Sequence, residues 1–162
     1  MTPAMAAGVT DRLWSVGDLL EAVAGKAVGD AMSLHYSVLG LAHIGIRVHD
    51  LTRSRKFYEL FGFKLAWGPF GPEQVAAMTH PSGLEINLIV NAPEPKSPNI
   101  LMDVPEKHAG FTHIALKISN VAATEAALVA AGVPITGRRG ETPVNALFVR
   151  DPDGNVLELA AD

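Results

Sequence analysis

Alternating apolar and polar positions open the most regular part of the chain. Residues 39–49 alternate with a period of two, which predicts a strand with one buried face. The apolar face carries Ile44, Ile46 and Val48. The opposite face carries His43, Gly45, Arg47 and His49.

A helix and three further strands are predicted after this strand. Residues 51–61 have the apolar spacing of an amphipathic helix, with Asp50 or Thr52 as its N-cap and Gly62 as its C-terminal stop. Turns rich in glycine and proline separate the strands that follow. We expect these strands at about 63–68, 74–80 and 84–91.

The same pattern recurs without a gap later in the chain. Residues 41–65 align with residues 111–135, so that His43 falls on His113 and Gly62 falls on Gly132. The second unit therefore repeats the order of strand, helix and three strands. Its predicted elements are a strand at 111–119, a helix at 121–131 and strands near 133–138, 145–150 and 155–161.

The repeat also pairs two glutamates. Pro81-Ser82-Gly83 corresponds to Pro152-Asp153-Gly154, and the next glutamates after these turns are Glu85 and Glu158. Each half thus supplies one early histidine and one late glutamate, all on the strand face that the helices do not cover. Two imidazoles and two carboxylates are a ligand set for a divalent metal, and His43, Glu85, His113 and Glu158 are the predicted ligands.

Composition narrows the chemistry further. The 162 residues contain no cysteine, so a metal would have only nitrogen and oxygen ligands. The net charge is −4 and no basic run occurs, which argues against a nucleic-acid partner. No apolar run reaches the ~18 residues of a membrane helix, and the N-terminus lacks the pattern of a signal peptide. We expect a cytoplasmic protein that does not bind membranes.

Two segments lie outside the repeat. Residues 1–36 form an N-terminal extension with helical apolar spacing, which is either a helix that packs on the body or on a partner, or a frayed extension or an upstream start ahead of the real start at Met32. Residues 92–110 form a proline-rich linker, which either covers the ligand pocket or packs on the sheet edge. We expect one domain over 37–162, with module 1 at about 39–91 and module 2 at about 111–161.

Four segments together resemble the vicinal oxygen chelate superfamily, which includes glyoxalase I, extradiol dioxygenases and bleomycin resistance proteins. They read HIGIRVHDLTRSRKFYELFGF, PSGLEINLI, FTHIALKI and DPDGNVLEL. The resemblance implies an α+β fold in which two βαβββ modules form a U-shaped, open, barrel-like sheet around one divalent ion, namely Ni, Zn, Co, Mn or Fe. In this superfamily the site forms within one chain or across a dimer.

The ligand order most resembles glyoxalase I, a lactoylglutathione lyase. This implies a lyase or isomerase that shifts a proton next to a metal-chelated carbonyl, through an enediolate, on a small molecule such as a glutathione or other thiol adduct. His43 and His113 would hold the ion, Glu158 would act as the base with Glu85 as its counterpart, and Arg47 would bind an anionic tail. A homodimer is expected.

Two positions differ from the glyoxalase I pattern. The asparagine that usually stands four residues after the first glutamate is replaced by Ile89, and Ala109 stands where a basic residue often precedes the second histidine. Other superfamily functions therefore stay open. They are an extradiol dioxygenase or thiol transferase with a two-His-one-Glu site, an epimerase of a 2-acyl thioester, and a non-catalytic drug-binding resistance protein.

Overall fold

A computed structural model describes residues 38–93 and 97–161 of the chain. Leu41–Asp162 form one compact unit. The predicted N-terminal helix falls within residues 1–36 and lies outside the described residues. Neither helix of the described part is long and apolar enough to cross a membrane.

The order of strand, helix and three strands occurs twice, as predicted. Module 1 consists of β1 (Ile44–Arg47), α1 (Leu51–Glu59), β2 (Lys64–Phe70), β3 (Val75–Thr79) and β4 (Glu85–Ile89). Module 2 consists of β5 (Ile114–Lys117), α2 (Val121–Ala130), β6 (Ile135–Arg139), β7 (Ala146–Arg150) and β8 (Val156–Ala160). The α+β fold with two βαβββ modules is therefore confirmed.

Capping residues explain why both helices begin where they do. The side chain of Asp50 accepts a hydrogen bond from the backbone N–H of Arg53, and Asn120 does the same for Ala123. The first helix ends two residues earlier than predicted, and Gly62 follows it with a φ of 86°, which favours glycine. Local sequence signals thus determine both helix starts.

Each module forms one open four-stranded sheet. The strand order is β1-β4-β3-β2 in the first sheet and β5-β8-β7-β6 in the second. The first and last strands of each module pair in parallel, and the remaining neighbours are antiparallel. This arrangement brings the strand that follows each histidine directly beside the strand that carries the glutamate.

The strand register corrects the predicted correspondence between the two glutamates. Gly45 pairs with Asn87 in the first sheet, whereas the repeat-equivalent Ala115 pairs with Glu158 in the second. Asn87 is therefore the structural counterpart of Glu158, and Glu85 is two residues out of register with it. The reason is the buried face: Ile86 and Leu88 match Leu157 and Leu159, and all four are fully buried.

A polar cluster joins the two modules. Asp153 is 4% exposed and accepts hydrogen bonds from Ser54 and Arg53, and its Oδ1 lies 2.9 Å from Nδ1 of His49. Tyr58 donates its hydroxyl hydrogen to Oδ2 of Asp151 at 3.0 Å. The turn between β7 and β8 is therefore anchored to α1 of the other module and to His49, which follows β1.

Candidate functional site

His113 and Glu158 are brought together by module 2. His113 directly precedes β5 and Glu158 lies in the middle of β8, on the face opposite the buried Leu157 and Leu159. Nε2 of His113 is 2.9 Å from Oε2 of Glu158. Because Glu158 is only 4% exposed, its carboxylate needs positive or hydrogen-bonding partners in place of water.

Arg139 provides the second partner of this carboxylate. Its Nη1 lies 2.5 Å from Oε1 of Glu158, so each carboxylate oxygen has one nitrogen beside it. Nε of Arg139 donates to Oδ1 of Asn145 at 3.1 Å, which orients the guanidinium. Sequence reasoning missed Arg139, because its approach to Glu158 depends on the pairing of β6, β7 and β8 and has no local signal.

In module 1, Glu85 stands beside His43. His43 directly precedes Ile44 and Glu85 directly precedes Ile86, and these two isoleucines are register partners. The histidine and the glutamate are therefore at the same level of neighbouring strands. His43 is exposed and Glu85 is half-buried. Of the four predicted ligands, this pair is the more accessible to solvent.

Asn87 is a residue that sequence reasoning did not select. It shares the face of Glu85, and its Oδ1 is buried without a hydrogen-bond partner among the described residues. Such an unpaired buried acceptor is costly unless a ligand or ion completes it. The spacing from the preceding turn was the available signal, because Asn87 stands four residues after Gly83 just as Glu158 stands four residues after Gly154.

His43 and His113 line one cavity of about 610 Å³. Ser97, Pro98 and Asn99 of the linker also line it, whereas the prediction assigns this role to the apolar patch Ile100-Leu101-Met102. The apolar linker residues Ile100 and Leu101 do not line it and are 54% and 37% exposed. Glu85 and Glu158 are likewise not among its lining residues.

The four predicted ligands are not gathered in one group by a single chain. Among residues 38–93 and 97–161, no three His, Asp or Glu side chains are arranged to hold one ion. The structure joins His113 to Glu158 and brings His43 and His113 to one cavity. The donor chemistry nevertheless fits a divalent cation, since imidazole, carboxylate and the unpaired amide oxygen of Asn87 are all suitable ligands.

Arg47 lies in the same sheet as His43 and is exposed. Its Nε donates to Oδ1 of Asn91 at 2.9 Å, and the amide nitrogen of Asn91 donates to Oε2 of Glu73 at 2.6 Å. Asn91 stands four residues after Asn87.

Comparisons with known structures agree with this fold. A glyoxalase/dioxygenase domain from Frankia sp. EAN1pec is 23% identical with a TM-score of 0.59, covering 77% of this chain and 93% of that one. The antibiotic-binding protein TnmS3 from Streptomyces sp. CB03234 is 22% identical with a TM-score of 0.59, covering 78% and 98%. Fosfomycin resistance protein FosX from Listeria monocytogenes is 21% identical with a TM-score of 0.57, covering 76% and 91%.

Sequence comparisons define the family. A comparison with curated proteins finds no significant match. The model of the glyoxalase, bleomycin resistance protein and dioxygenase superfamily matches residues 40–159, which is most of the chain. Members of this superfamily are metal-dependent enzymes or resistance proteins that bind small molecules. The chain belongs to the Glyoxalase/Bleomycin resistance protein/Dioxygenase superfamily.

Proposed function

We propose that this protein is a metal-dependent enzyme that shifts a proton next to a carbonyl of a small substrate with two adjacent oxygens. The observation that carries the proposal is the pair of His113 and the buried Glu158, 2.9 Å apart. A buried carboxylate beside an imidazole provides two of the ligands that a divalent cation needs. His43, at the repeat-equivalent position of module 1, supplies the next ligand.

The ligand set that the register favours is His43, His113 and Glu158. The amide of Asn87 occupies the position equivalent to Glu158, and its unpaired oxygen can complete the coordination directly or through water. Glu85 is then free of the ion. When bound, the cation acts as a Lewis acid that polarises the substrate carbonyl and lowers the pKa of the neighbouring C–H group.

Glu85 is the proposed proton acceptor. It is half-buried beside His43 and shares a sheet face with Asn87, so its carboxylate borders the ligand set. A carboxylate that is not tied to the ion can take a proton from one substrate carbon and return it to the neighbouring carbon. The exposed guanidinium of Arg47 lies on the same face and is suited to bind an anionic substrate tail.

A homodimer completes the site in this proposal. One chain joins His113 to Glu158 but gathers no third acidic or imidazole ligand among its described residues. In this arrangement His43 of one protomer meets His113 and Glu158 of the other. The alternative is a site within one chain, at the cavity that His43 and His113 of the same chain line together. Mixing the variants His43→Ala and Glu158→Gln tests this arrangement, because each mixed dimer then regains one intact site. About one ion per mixed dimer supports a shared site, and none contradicts it.

Metal content and turnover provide the direct test. We expect the purified protein to take up Ni, Co or Zn and to isomerise the hemithioacetal of methylglyoxal and glutathione. Glu158→Gln should lower metal affinity at least tenfold, while Glu85→Gln should keep the metal and lose turnover. Full metal occupancy without turnover would remove the glyoxalase reaction. Loss of the ion in Glu85→Gln would instead restore Glu85 as a fourth ligand.

Ring-cleaving dioxygenase or thiol-transfer chemistry is the second candidate. The observation that favours it is the register, because Asn87 leaves a site of two histidines and one glutamate. This set with open positions is also typical of non-haem Fe(II) oxygenases. Oxygen uptake with a catechol, dependent on Fe(II) or Mn, would support a dioxygenase. Activity with Ni or Zn on the hemithioacetal would argue against it.

A further inference from the structure

We infer that the substrate carries a flat aromatic ring and an acidic group, and that Trp67 and Phe70 of β2 bind the ring. This inference rests on the proposed function, because it names the class of substrate for the same site. The two side chains are large, apolar and exposed, at 43% and 66%. Their rings are stacked, with centroids 6.3 Å apart and planes 9° from parallel.

A bulge in β2 turns both rings to the same face. Trp67 pairs with Ala77 and Phe70 pairs with Val75, so three steps along β2 oppose two steps along β3. In a regular strand, residues three apart point to opposite faces. The extra residue changes this alternation, and bulges of this kind commonly redirect a side chain beside an active site.

The backbone at the bulge accepts only glycine. Gly68 has a φ of 93°, and a Cβ atom there would lie 2.3 Å from the carbonyl oxygen of Val75 and 2.7 Å from Cα of Ala76. The second strand therefore approaches the third too closely for any side chain. The backbone at the bulge therefore determines that both side chains leave the strand on the same face.

Trp67 and Phe70 lie on the face of the first sheet that also carries Asn87 and Arg47. Register partners share a face, and the pairings run across all four strands of the first sheet. One row consists of Gly45, Asn87, Ala77 and Trp67. The next row consists of Arg47, Ile89, Val75 and Phe70. The rings therefore lie on the same sheet face as Asn87 and Arg47, separated from them by Ala77, Val75 and Ile89.

The polar groups in these rows define the rest of the ligand. The unpaired Oδ1 of Asn87 requires a hydrogen-bond donor or a cation, and Arg47 presents an exposed positive charge. Flat aromatic surfaces bind other flat rings by stacking, which adds to the burial of apolar area. A planar ring with a carboxylate and an adjacent hydroxyl matches all three features.

A matched pair of ligands tests the inference. We would measure dissociation constants by calorimetry for 3-hydroxy-2-naphthoate and for 3-hydroxydecahydronaphthalene-2-carboxylate, which has the same carbon skeleton and the same oxygens but saturated rings. The full-length protein should bind the naphthoate more tightly, both with and without Ni. Trp67→Leu and Phe70→Leu should each weaken naphthoate binding about three- to tenfold. The control Val129→Ala, which truncates an exposed apolar residue of α2, should not change it.

Three results would overturn the inference. They are equal affinity for the two ligands, unchanged affinity in both aromatic variants, and a change of oligomeric state in Trp67→Leu, which would make the rings an interface between copies. Metal content, measured on the same samples, separates this outcome from failure of the proposed function. A protein that binds the ion but does not discriminate between the ligands contradicts only the aromatic subsite.

Discussion

Replacing Arg139 should destabilise the metal-free protein more than replacing the carboxylate that it contacts. The side chain of Glu158 is 5% exposed, whereas the side chains of Arg139 and His113 are 53% and 31% exposed. Arg139→Gln leaves a buried carboxylate with one partner, and Glu158→Gln leaves an arginine that water can solvate. The two variants therefore remove the same ion pair but should lower the free energy of unfolding by different amounts.

The magnitude follows from burial. Removing one partner of a fully buried ion pair costs about 3–5 kcal/mol. Here His113 remains beside Glu158 and Arg139 is half exposed, so we expect about 1–2 kcal/mol for Arg139→Gln. Glu158→Gln should cost less than about 1 kcal/mol, because its former partners return to water. The double variant should be close to Glu158→Gln alone.

The same reasoning predicts a gain in metal affinity. If Arg139→Gln raises the free energy of the apo protein by about 1.4 kcal/mol and a bound cation removes that penalty, the dissociation constant for the cation falls about tenfold. Urea unfolding in EDTA measures the stabilities, and calorimetry with Ni measures the affinity. A larger loss of stability in Glu158→Gln than in Arg139→Gln, or weaker metal binding in Arg139→Gln, would refute the argument.

Two further changes test the module contact and the bulge. Burial raises the pKa of Asp151 above its ordinary value, and the hydroxyl of Tyr58 opposes this rise by hydrogen bonding the ionised carboxylate. Because the pKa of Asp151 is raised in the folded protein, the contribution of this carboxyl group to the free energy of unfolding is present at low pH and is lost as the pH rises through the folded pKa. Because Tyr58 favours the ionised form of Asp151, Tyr58→Phe should cost little stability at low pH and about 1–2 kcal/mol at pH 7 in urea unfolding. A cost independent of pH would contradict this. Gly68→Ala should prevent the bulge and weaken naphthoate binding about as much as the aromatic variants do, whereas Gly71→Ala, with a similar positive φ but open space around its Cβ, should cost only backbone strain of about 1 kcal/mol and leave binding unchanged. Equal effects of the two alanines on calorimetric binding would show that the close backbone contact does not hold the rings.

The local sequence determined the elements and their order. Period-two alternation marked the strands, Asp50 and Asn120 marked the helix starts, and Gly62 marked an end, because each of these signals acts over a few residues. The internal repeat then indicated two copies of one module and led to the superfamily. It also placed His113 and Glu158 on the strand face that the helices do not cover, and the structure finds the two side chains in contact.

Only the tertiary structure decided which residues stand opposite one another. Asn87, and not Glu85, is the counterpart of Glu158 because Gly45 pairs with Asn87 as Ala115 pairs with Glu158, and because Ile86 and Leu88 are the fully buried neighbours. A slip of two residues keeps the same alternation, so the apolar pattern alone does not decide between the two registers. The contact of Arg139 with Glu158 and the turn of Phe70 toward Trp67 depend on pairings between strands. Such pairings join residues that are distant in the chain, and their free energy is gained only when the sheet assembles.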